Sequence, residues 1–246
     1  MSRLARQLSE TGIYHIVFRG LNKQNIFEDV SDFRKMRDTL LSLKKEMNFE
    51  IYAYCLMSNH VHILLKESNQ GDISLIMKRL LTKYARWYNI KYDRSGALIA
   101  NRYKSKPVDV DEYFLPVIRY IHQNPVKAGL VKDMSDYTWS SFGEYLFECE
   151  GLADTEFVFD MIDRNEFVEL HNKEDDSIYL VDDKIKLTDD EIRRKILKQY
   201  SVRTEDISMM PKKERDRLLQ NLRSEYSIRE LMRITGLTRG IIQKKR

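Results

Sequence analysis

The first part of the chain carries three apolar runs with the composition of β-strands. They are residues 13–19 (IYHIVFR), 49–57 (FEIYAYCLM) and 60–66 (HVHILLK), all rich in β-branched and aromatic side chains. Only Ser58-Asn59 separates the second run from the third, and such a short polar connection is typical of a β-hairpin. The pattern therefore predicts three strands, of which the last two form a hairpin.

Three other segments repeat their apolar residues at helical spacing. Residues 31–47 and 72–91 are predicted helices, and residues 111–124 form a third that should end before Pro125. Residues 97–110 are partly extended. The resulting order is that of a split βαβ unit, so we expect an α+β fold with a ferredoxin-like antiparallel sheet and helices on one face.

Charge changes sharply along the chain and suggests three regions. Residues 1–150 have 22 basic and 18 acidic side chains, residues 151–190 have 4 and 13, and residues 191–246 have 16 and 7. We place the end of a first domain near residue 150, after Trp139 and Phe142. An acidic linker over 151–187 and a basic helical domain over 188–246 should follow. Basic regions suit a polyanionic partner, although a solvated charged surface would look the same.

The C-terminal stretch SIRELMRITGLTRGIIQKKR predicts a helix, a turn at Gly236 and a second helix. This is typical of a helix-turn-helix, whose second helix would present Arg239 and Lys244 to a DNA groove. A small helical bundle that only packs is the alternative. The sequence has no run of 18 apolar residues and no secretory signal pattern, so we expect no membrane span. With only Cys55 and Cys149, a reducing cytoplasmic setting is the default expectation.

The candidate chemistry begins with His60-Val61-His62 at the start of a predicted strand. Side chains two positions apart on a strand point to the same face, so both imidazoles could bind one divalent metal ion. Paired histidines in a strand are also often plain structural residues. His15, on the first strand, is either a neighbour of the same site or structural.

A tyrosine on the third predicted helix is the candidate nucleophile. Tyr120 and Asn124 lie one turn apart on the flank of an apolar stripe, where they could reach the sheet and still meet solvent. A phenol with its usual pKa of about 10 needs activation, which a metal-polarised phosphate provides. Asn124 could supply an oxygen ligand. The alternative is an ordinary tyrosine at the rim of the core.

A basic and aromatic stretch over residues 78–106 is typical of single-stranded nucleic-acid binding, because cations follow the backbone and aromatic rings stack on bases. We expect Tyr84 and Trp87 to belong to the core instead. Cations at the end of the first strand and in the C-terminal helix add to this stretch. The predicted DNA contacts are therefore Arg19, Lys83, Arg86, Arg94, Arg102, Tyr103, Lys104, Arg239 and Lys244.

Several motifs in order resemble one known family. The segments GIYHIVFRGLN, YCLMSNHVHILL, RSGALIANRYKSKPV, YIHQNPVKAGLV and WSSF, over roughly residues 8–147, resemble the REP-associated tyrosine transposases of the single-tyrosine HUH endonuclease superfamily. The resemblance implies that His60 and His62 bind Mg²⁺ or Mn²⁺, that Tyr120 is the nucleophile and that Asn124 is the third ligand.

It also implies a metal-dependent enzyme that cleaves and rejoins single-stranded DNA at hairpin-forming palindromic repeats. The intermediate would be a 5′-phosphotyrosine link with a free 3′-hydroxyl. Whether the protein is a monomer or a homodimer stays open. Two other hypotheses stay open: a non-catalytic DNA-binding regulator that uses its helix-turn-helix, and a nuclease with water as the nucleophile.

Overall fold

The computed structural model describes residues 7–100, 102–109, 111–147, 151–173, 189–226 and 228–242. The chain divides into two compact units, Met1–Val181 and Asp182–Arg246. The first unit is an α+β structure built on one four-stranded sheet. Within the described residues no helix is long and apolar enough to cross a membrane.

The sheet contains β1 (Ile13–Arg19), β2 (Glu50–Met57), β3 (His60–Lys66) and β4 (Lys104–Pro107), in the order β2-β3-β1-β4. Every neighbouring pair is antiparallel. The three strands predicted from apolar runs are confirmed, and β2 and β3 are neighbours across the Ser58-Asn59 turn. Of the extended segment 97–110, only four residues form a strand.

Two long helices cover one face of the sheet, α1 (Val30–Met47) and α2 (Asp72–Lys91). Their buried side chains pack with Tyr14, Ile16 and Phe18 of β1. Asp29 caps α1, because its carboxylate accepts from the backbone N–H groups of Ser31 and Asp32, and the Asp32 side chain accepts in return from the backbone of Asp29.

The opposite face is covered by α3 (Asp111–Lys127), together with α4 (Phe142–Phe147), α5 (Glu156–Phe159) and α6 (Arg164–Asn172). The expectation of helices on one face is therefore wrong. Both faces of the central strands are apolar, so the sheet needs a layer on each side. Helix α3 also continues past Pro125, since the carbonyl of Asn124 accepts from the N–H of Ala128.

The domain end predicted near residue 150 falls short of the observed one. Leu152 packs in the core on the α1–α2 face, and Val158 and Phe167 are buried in the core on the α3 face. Residues 151–173 thus belong to the first unit and do not form a linker. Their acidic side chains are largely on the surface, and the few apolar ones decide the packing.

The second unit has its own apolar core. Its helices are α7 (Asp189–Tyr200), α8 (Lys212–Glu225), α9 (Ile228–Thr235) and α10 (Arg239–Ile242). Three short 3₁₀ helices complete the described structure, at Leu21–Lys23, Met134–Asp136 and Asp206–Met209. The predicted helix, Gly236 turn and second helix correspond to α9 and α10, with Gly236 at a positive φ of 69°.

Candidate active site

The two histidines of β3 point to the face of the sheet that carries α3. His60 lies opposite Arg19 of β1 and opposite Met57 of β2, and His62 lies opposite Val17 and Cys55. Directly opposed residues of an antiparallel pair share a face. The strand register therefore collects Arg19, His60 and His62 on one side, as the two-residue period predicted for the histidines.

His15 is the immediate neighbour of His62. The Nε2 atom of His15 lies 3.1 Å from the Nδ1 atom of His62, and the two rings are stacked with their centroids 5.3 Å apart. Both side chains are completely buried. This contact places His15 at the site and fixes how the His62 ring is turned.

Tyr120 of α3 lies against both of these rings. Its ring centroid is 5.8 Å from that of His15 and 5.7 Å from that of His62, each in an edge-to-face arrangement. Tyr120 is half-buried, and the ammonium of Lys127 lies 5.8 Å from its ring centroid. The structure thus brings the predicted nucleophile and the histidine pair together.

His60 is held from the hairpin turn. Its Nδ1 atom lies 2.7 Å from Oδ1 of Asn59, whose Nδ2 donates to the carbonyl of Lys23 at 3.4 Å. The carbonyl of Asn59 also accepts from the N–H of Gly20. Asn59 therefore ties the first histidine to the loop after β1. The sequence alone predicts Asn59 only as a turn residue.

The chemistry of His60 and His62 suits the binding of a divalent metal ion. Burial lowers the pKa of His62 well below its ordinary value, and nearby His15 and His60 add to this, so the ring stays neutral as a metal ligand must be. Each ring uses Nδ1 for an orienting contact, so Nε2 is the atom through which it would ligate. This division between the two nitrogens is usual for metal-binding histidines.

The third ligand would have to be an amide or an atom of the substrate. Among the described residues, no group of three or more His, Cys, Asp or Glu side chains is arranged to hold a metal ion. Asn124 lies one turn after Tyr120, and its Nδ2 donates to the carbonyl of Tyr120 at 2.8 Å. Its role as a ligand through Oδ1 stays a prediction.

Lysines of the edge strand β4 share the face of the site. Lys104 lies opposite Val17 and Lys106 opposite His15, and both are exposed. Burial lowers the pKa of His15 to about 3, and the positive charge of Lys106 contributes to this shift. Lys106 was part of the basic stretch in the sequence but was not predicted to be in the site.

The remaining predicted DNA contacts lie elsewhere. Lys83 and Arg86 line a groove of about 430 Å³ between α1 and α2, in the helical layer on the other face of the sheet. Trp87, expected in the core, lines the same groove, whereas Tyr84 is fully buried as expected. Lys83 and Arg86 lie apart from the histidines and Tyr120, because the 20-residue helix α2 packs on the opposite face of the sheet.

Tyr103 is a core residue, which corrects its assignment as a DNA contact. It is only 8% exposed, and its hydroxyl donates to the carbonyl of Ile73 on α2. Arg94 is exposed and donates to Oε1 of Gln24, and Arg102 is exposed just before β4. Arg239 is exposed on α10, while Lys244 lies outside the described residues.

A family model matches the part of the chain that carries these residues. Residues 9–124, which include the histidine pair, Tyr120 and Asn124, match the family model described as Transposase IS200 like. The predicted resemblance to IS200-like transposases is confirmed over this stretch. We refer to residues 9–124 as the IS200-like region.

Two curated relatives are similar to part of this chain. The REP-associated tyrosine transposase of Escherichia coli strain K12 is 25% identical over 118 residues, covering 46% of this chain and 66% of that protein. A Haemophilus influenzae protein, which carries the same name provisionally, is 27% identical over 155 residues, covering 58% of this chain and 86% of its own.

A solved structure with a similar fold comes from a protein that binds DNA. It shows a REP-associated tyrosine transposase bound to a REP hairpin, and it matches with a TM-score of 0.51 and 20% identity. The match covers 59% of this chain and 86% of that one. At this identity it supports the α+β fold of the first unit and no finer detail.

Proposed function

We propose that this protein is a DNA transposase or nickase that cleaves and rejoins single-stranded DNA with Tyr120 as the nucleophile. The observation that carries the proposal is the packing of the Tyr120 ring against His15 and His62, on the face that His60 and His62 share. A rim tyrosine needs no such neighbours. The matched IS200-like region and the names of the curated relatives support the same class of reaction.

The proposed cleavage step is an attack by Tyr120 on a DNA phosphate. The Tyr120 oxygen forms a bond to the scissile phosphorus, the bond from phosphorus to the 3′-oxygen breaks, and the phenolic proton is released. The leaving oxygen takes up a proton and becomes a 3′-hydroxyl, while the 5′-phosphate stays on Tyr120. Attack by another 3′-hydroxyl reverses the step and rejoins strands, because the energy of the phosphodiester is kept in the covalent link.

His60 and His62 would hold Mg²⁺ or Mn²⁺ through Nε2, with Asn124 as the third ligand. When bound, the ion polarises the phosphate as a Lewis acid and stabilises the charge that develops on it. The ammonium of Lys127 lies 5.8 Å from the centroid of the Tyr120 ring, where its positive charge would favour the phenolate form that attacks. The contact between Nε2 of His15 and Nδ1 of His62 holds the His62 ring in its orientation.

The DNA substrate would be a hairpin from a palindromic repeat, like the REP hairpin bound by the structural relative. We place its single-stranded flank along β4, where Arg19, Lys104 and Lys106 share the face of the histidines. Further contacts from Arg94, Arg102, Lys83, Arg86 and the helix-turn-helix cations Arg239 and Lys244 are part of the proposal. A cytoplasmic location, where such a role on DNA would be carried out, is part of the same proposal.

We also propose that the sheet is ferredoxin-like. Because β1 and β2 both pair antiparallel with β3, which lies between them, they run in the same direction. Helix α1 connects β1 to β2, and α2 connects β3 to β4. This connectivity supports a ferredoxin-like split βαβ sheet.

One assay separates the proposal from its two alternatives. Single-stranded oligonucleotides, each with a palindromic hairpin and a labelled 3′ flank, are incubated with the protein and Mn²⁺ and then denatured. We expect a denaturation-resistant adduct that carries the 3′ label, that is lost with EDTA and lost in Tyr120→Phe. The matched control is Tyr113→Phe, an exposed tyrosine of the same helix that should keep full activity.

Other outcomes would reject the proposal. Cleavage that survives Tyr120→Phe without any adduct would indicate a hydrolytic nuclease with water as the nucleophile. Binding of the hairpins without cleavage or adduct would indicate a regulator that retained the fold.

A further inference from the structure

A buried chain of hydrogen bonds joins α3 to α6 and to the edge strand β2. Nε2 of His122 lies 2.7 Å from the Ser141 hydroxyl, and Nδ1 of His122 lies 2.9 Å from Nε2 of His171. Nδ1 of His171 lies 2.7 Å from the carbonyl oxygen of Phe167. Ser141, His122 and His171, which we call the relay, are at most 1% exposed.

The Phe167 carbonyl at one end fixes the direction of the bonds between neutral rings. The Phe167 carbonyl can only accept, so His171 carries its proton on Nδ1 and accepts at Nε2 from the Nδ1–H of His122. Nε2 of His122 then accepts from the Ser141 hydroxyl, whose oxygen accepts from the N–H of Tyr54 at 2.9 Å. Both rings are neutral, and burial lowers the pKa of His171 to about 4 and that of His122 well below its ordinary value.

The relay lies on the helix that carries the nucleophile. His122 follows Tyr120 by two residues, so the two side chains leave α3 roughly 200° apart around its axis. Apolar packing resists separation of a helix from a sheet but tolerates small rotations, whereas directional bonds fix the rotation. A rotation of α3 about its axis that broke the hydrogen bonds of His122 would also move the Tyr120 ring relative to His15 and His62.

A second contact ties the same helices together. Nε2 of Gln123 donates to the carbonyl of His171 at 2.8 Å. Helix α6 lies beyond the IS200-like region and inside the acidic segment that composition suggested was a linker. The catalytic helix is therefore held by a part of the chain that carries none of the family motifs.

We propose that Ser141, His122 and His171 are positioning residues for Tyr120, and that α6 is a built-in brace of the catalytic helix. The proposal rests on the function proposed above. None of the three residues touches the reacting atoms. Their effect is on the alignment of the tyrosine with the phosphate, which governs the rate of attack more than the affinity for DNA.

The test compares two changes at one position. His171→Phe keeps a ring among Phe142 and Phe167 but removes both nitrogens, whereas His171→Gln keeps an acceptor for His122 near the position of Nε2. We expect His171→Phe to form the adduct at least tenfold more slowly at saturating DNA, with little change in the dissociation constant for DNA. His171→Gln should restore most of the rate.

A control separates positioning from general loss of stability. Tyr84→Phe removes a buried hydrogen bond, from the hydroxyl to the carbonyl of Ile26, in the core on the other face of the sheet. At a temperature well below unfolding it should leave the adduct rate unchanged. If His171→Phe does not fold, Ser141→Ala interrupts the relay at its other end and takes its place.

A second readout does not depend on catalysis. Hydrogen exchange of the α3 amides should accelerate in His171→Phe and not in Tyr84→Phe. Wild-type adduct rates in His171→Phe, or no difference between the Phe and Gln variants, would overturn the proposal. If the wild-type protein forms no adduct at all, the proposed function fails; selective loss of α3 protection would then still support the brace, and unchanged protection would overturn it.

Discussion

At the scale of single residues, the candidate site depends on how each imidazole ring is held. His62 is turned by a buried ring and His60 by an amide of the hairpin turn, so the pair is oriented by residues from two different segments. Such outer contacts fix the ring and its tautomer before a metal ion arrives. Asn59 is therefore as much a part of the site as the histidine that follows it.

This arrangement predicts the effect of Asn59→Ala. Without the Oδ1 acceptor the His60 ring can rotate, and the affinity for Mn²⁺ should fall about 10-fold or more. Titration calorimetry or the Mn²⁺ electron paramagnetic resonance signal measures this directly. Asn69→Ala, which removes an exposed amide bonded to Asp72, is the matched control. Equal affinities in wild type and Asn59→Ala would show that the turn does not orient the ligand.

Residue roles could be predicted where they follow from the period of a single element. The shared direction of His60 and His62 needs only the two-residue repeat of a strand, and the nearness of Tyr120 to Asn124 needs only one helical turn. His62 and His15 meet through strand register, which the sequence does not show. Tyr103 was misassigned although the alternation RYKSK already separates one aromatic face from one basic face.

At the scale of elements, β4 decides where DNA can approach the site. It is a short edge strand, and its two outward lysines lie beside His15 and Val17. Helix α2 carries more cations, but it belongs to the layer on the opposite face. The sequence predicted both elements and their type. It could not predict their faces, because apolar residues on both sides of β1 left the placement of α3 undetermined.

The edge strand leads to a prediction about salt dependence. Each phosphate contact to a single strand contributes a slope of about −0.7 to the plot of log affinity against log salt. Lys104→Gln with Lys106→Gln should therefore flatten that slope by about 1.4 for a hairpin with a single-stranded flank. Fluorescence anisotropy over a range of NaCl concentrations gives the value.

The control removes the same charge from the other face. Arg34→Gln with Lys45→Gln changes two exposed cations of α1 that do not line the groove of Lys83 and Arg86, and this pair should leave the slope unchanged. If the α1 pair flattened the slope as much as the β4 pair, the slope would report the total charge of the protein and not phosphate contacts at β4.

At the scale of the whole molecule, composition was a poor guide to where the first unit ends. The net charge of −9 over residues 151–190 favours a solvated connector. Charge reports on the surface, however, and a few buried side chains suffice to dock a segment. Phe167 and His171 are buried between α3 and α4 although acidic residues surround them in the sequence.

Cutting the chain at the two candidate boundaries tests which one is real. A fragment of residues 1–181 keeps Leu152, Val158 and Phe167 in their cores, and a fragment of residues 1–150 loses all three together with the brace on α3. Each buried apolar side chain contributes about 1.5–3 kcal/mol, so the loss is comparable to the whole stability of a typical domain, about 5–15 kcal/mol. Circular dichroism during heating should show a cooperative transition for the longer fragment and none, or one at a much lower temperature, for the shorter. Identical transitions would mean that residues 151–173 only rest on the surface, and the brace proposed for Tyr120 would then have no structural basis.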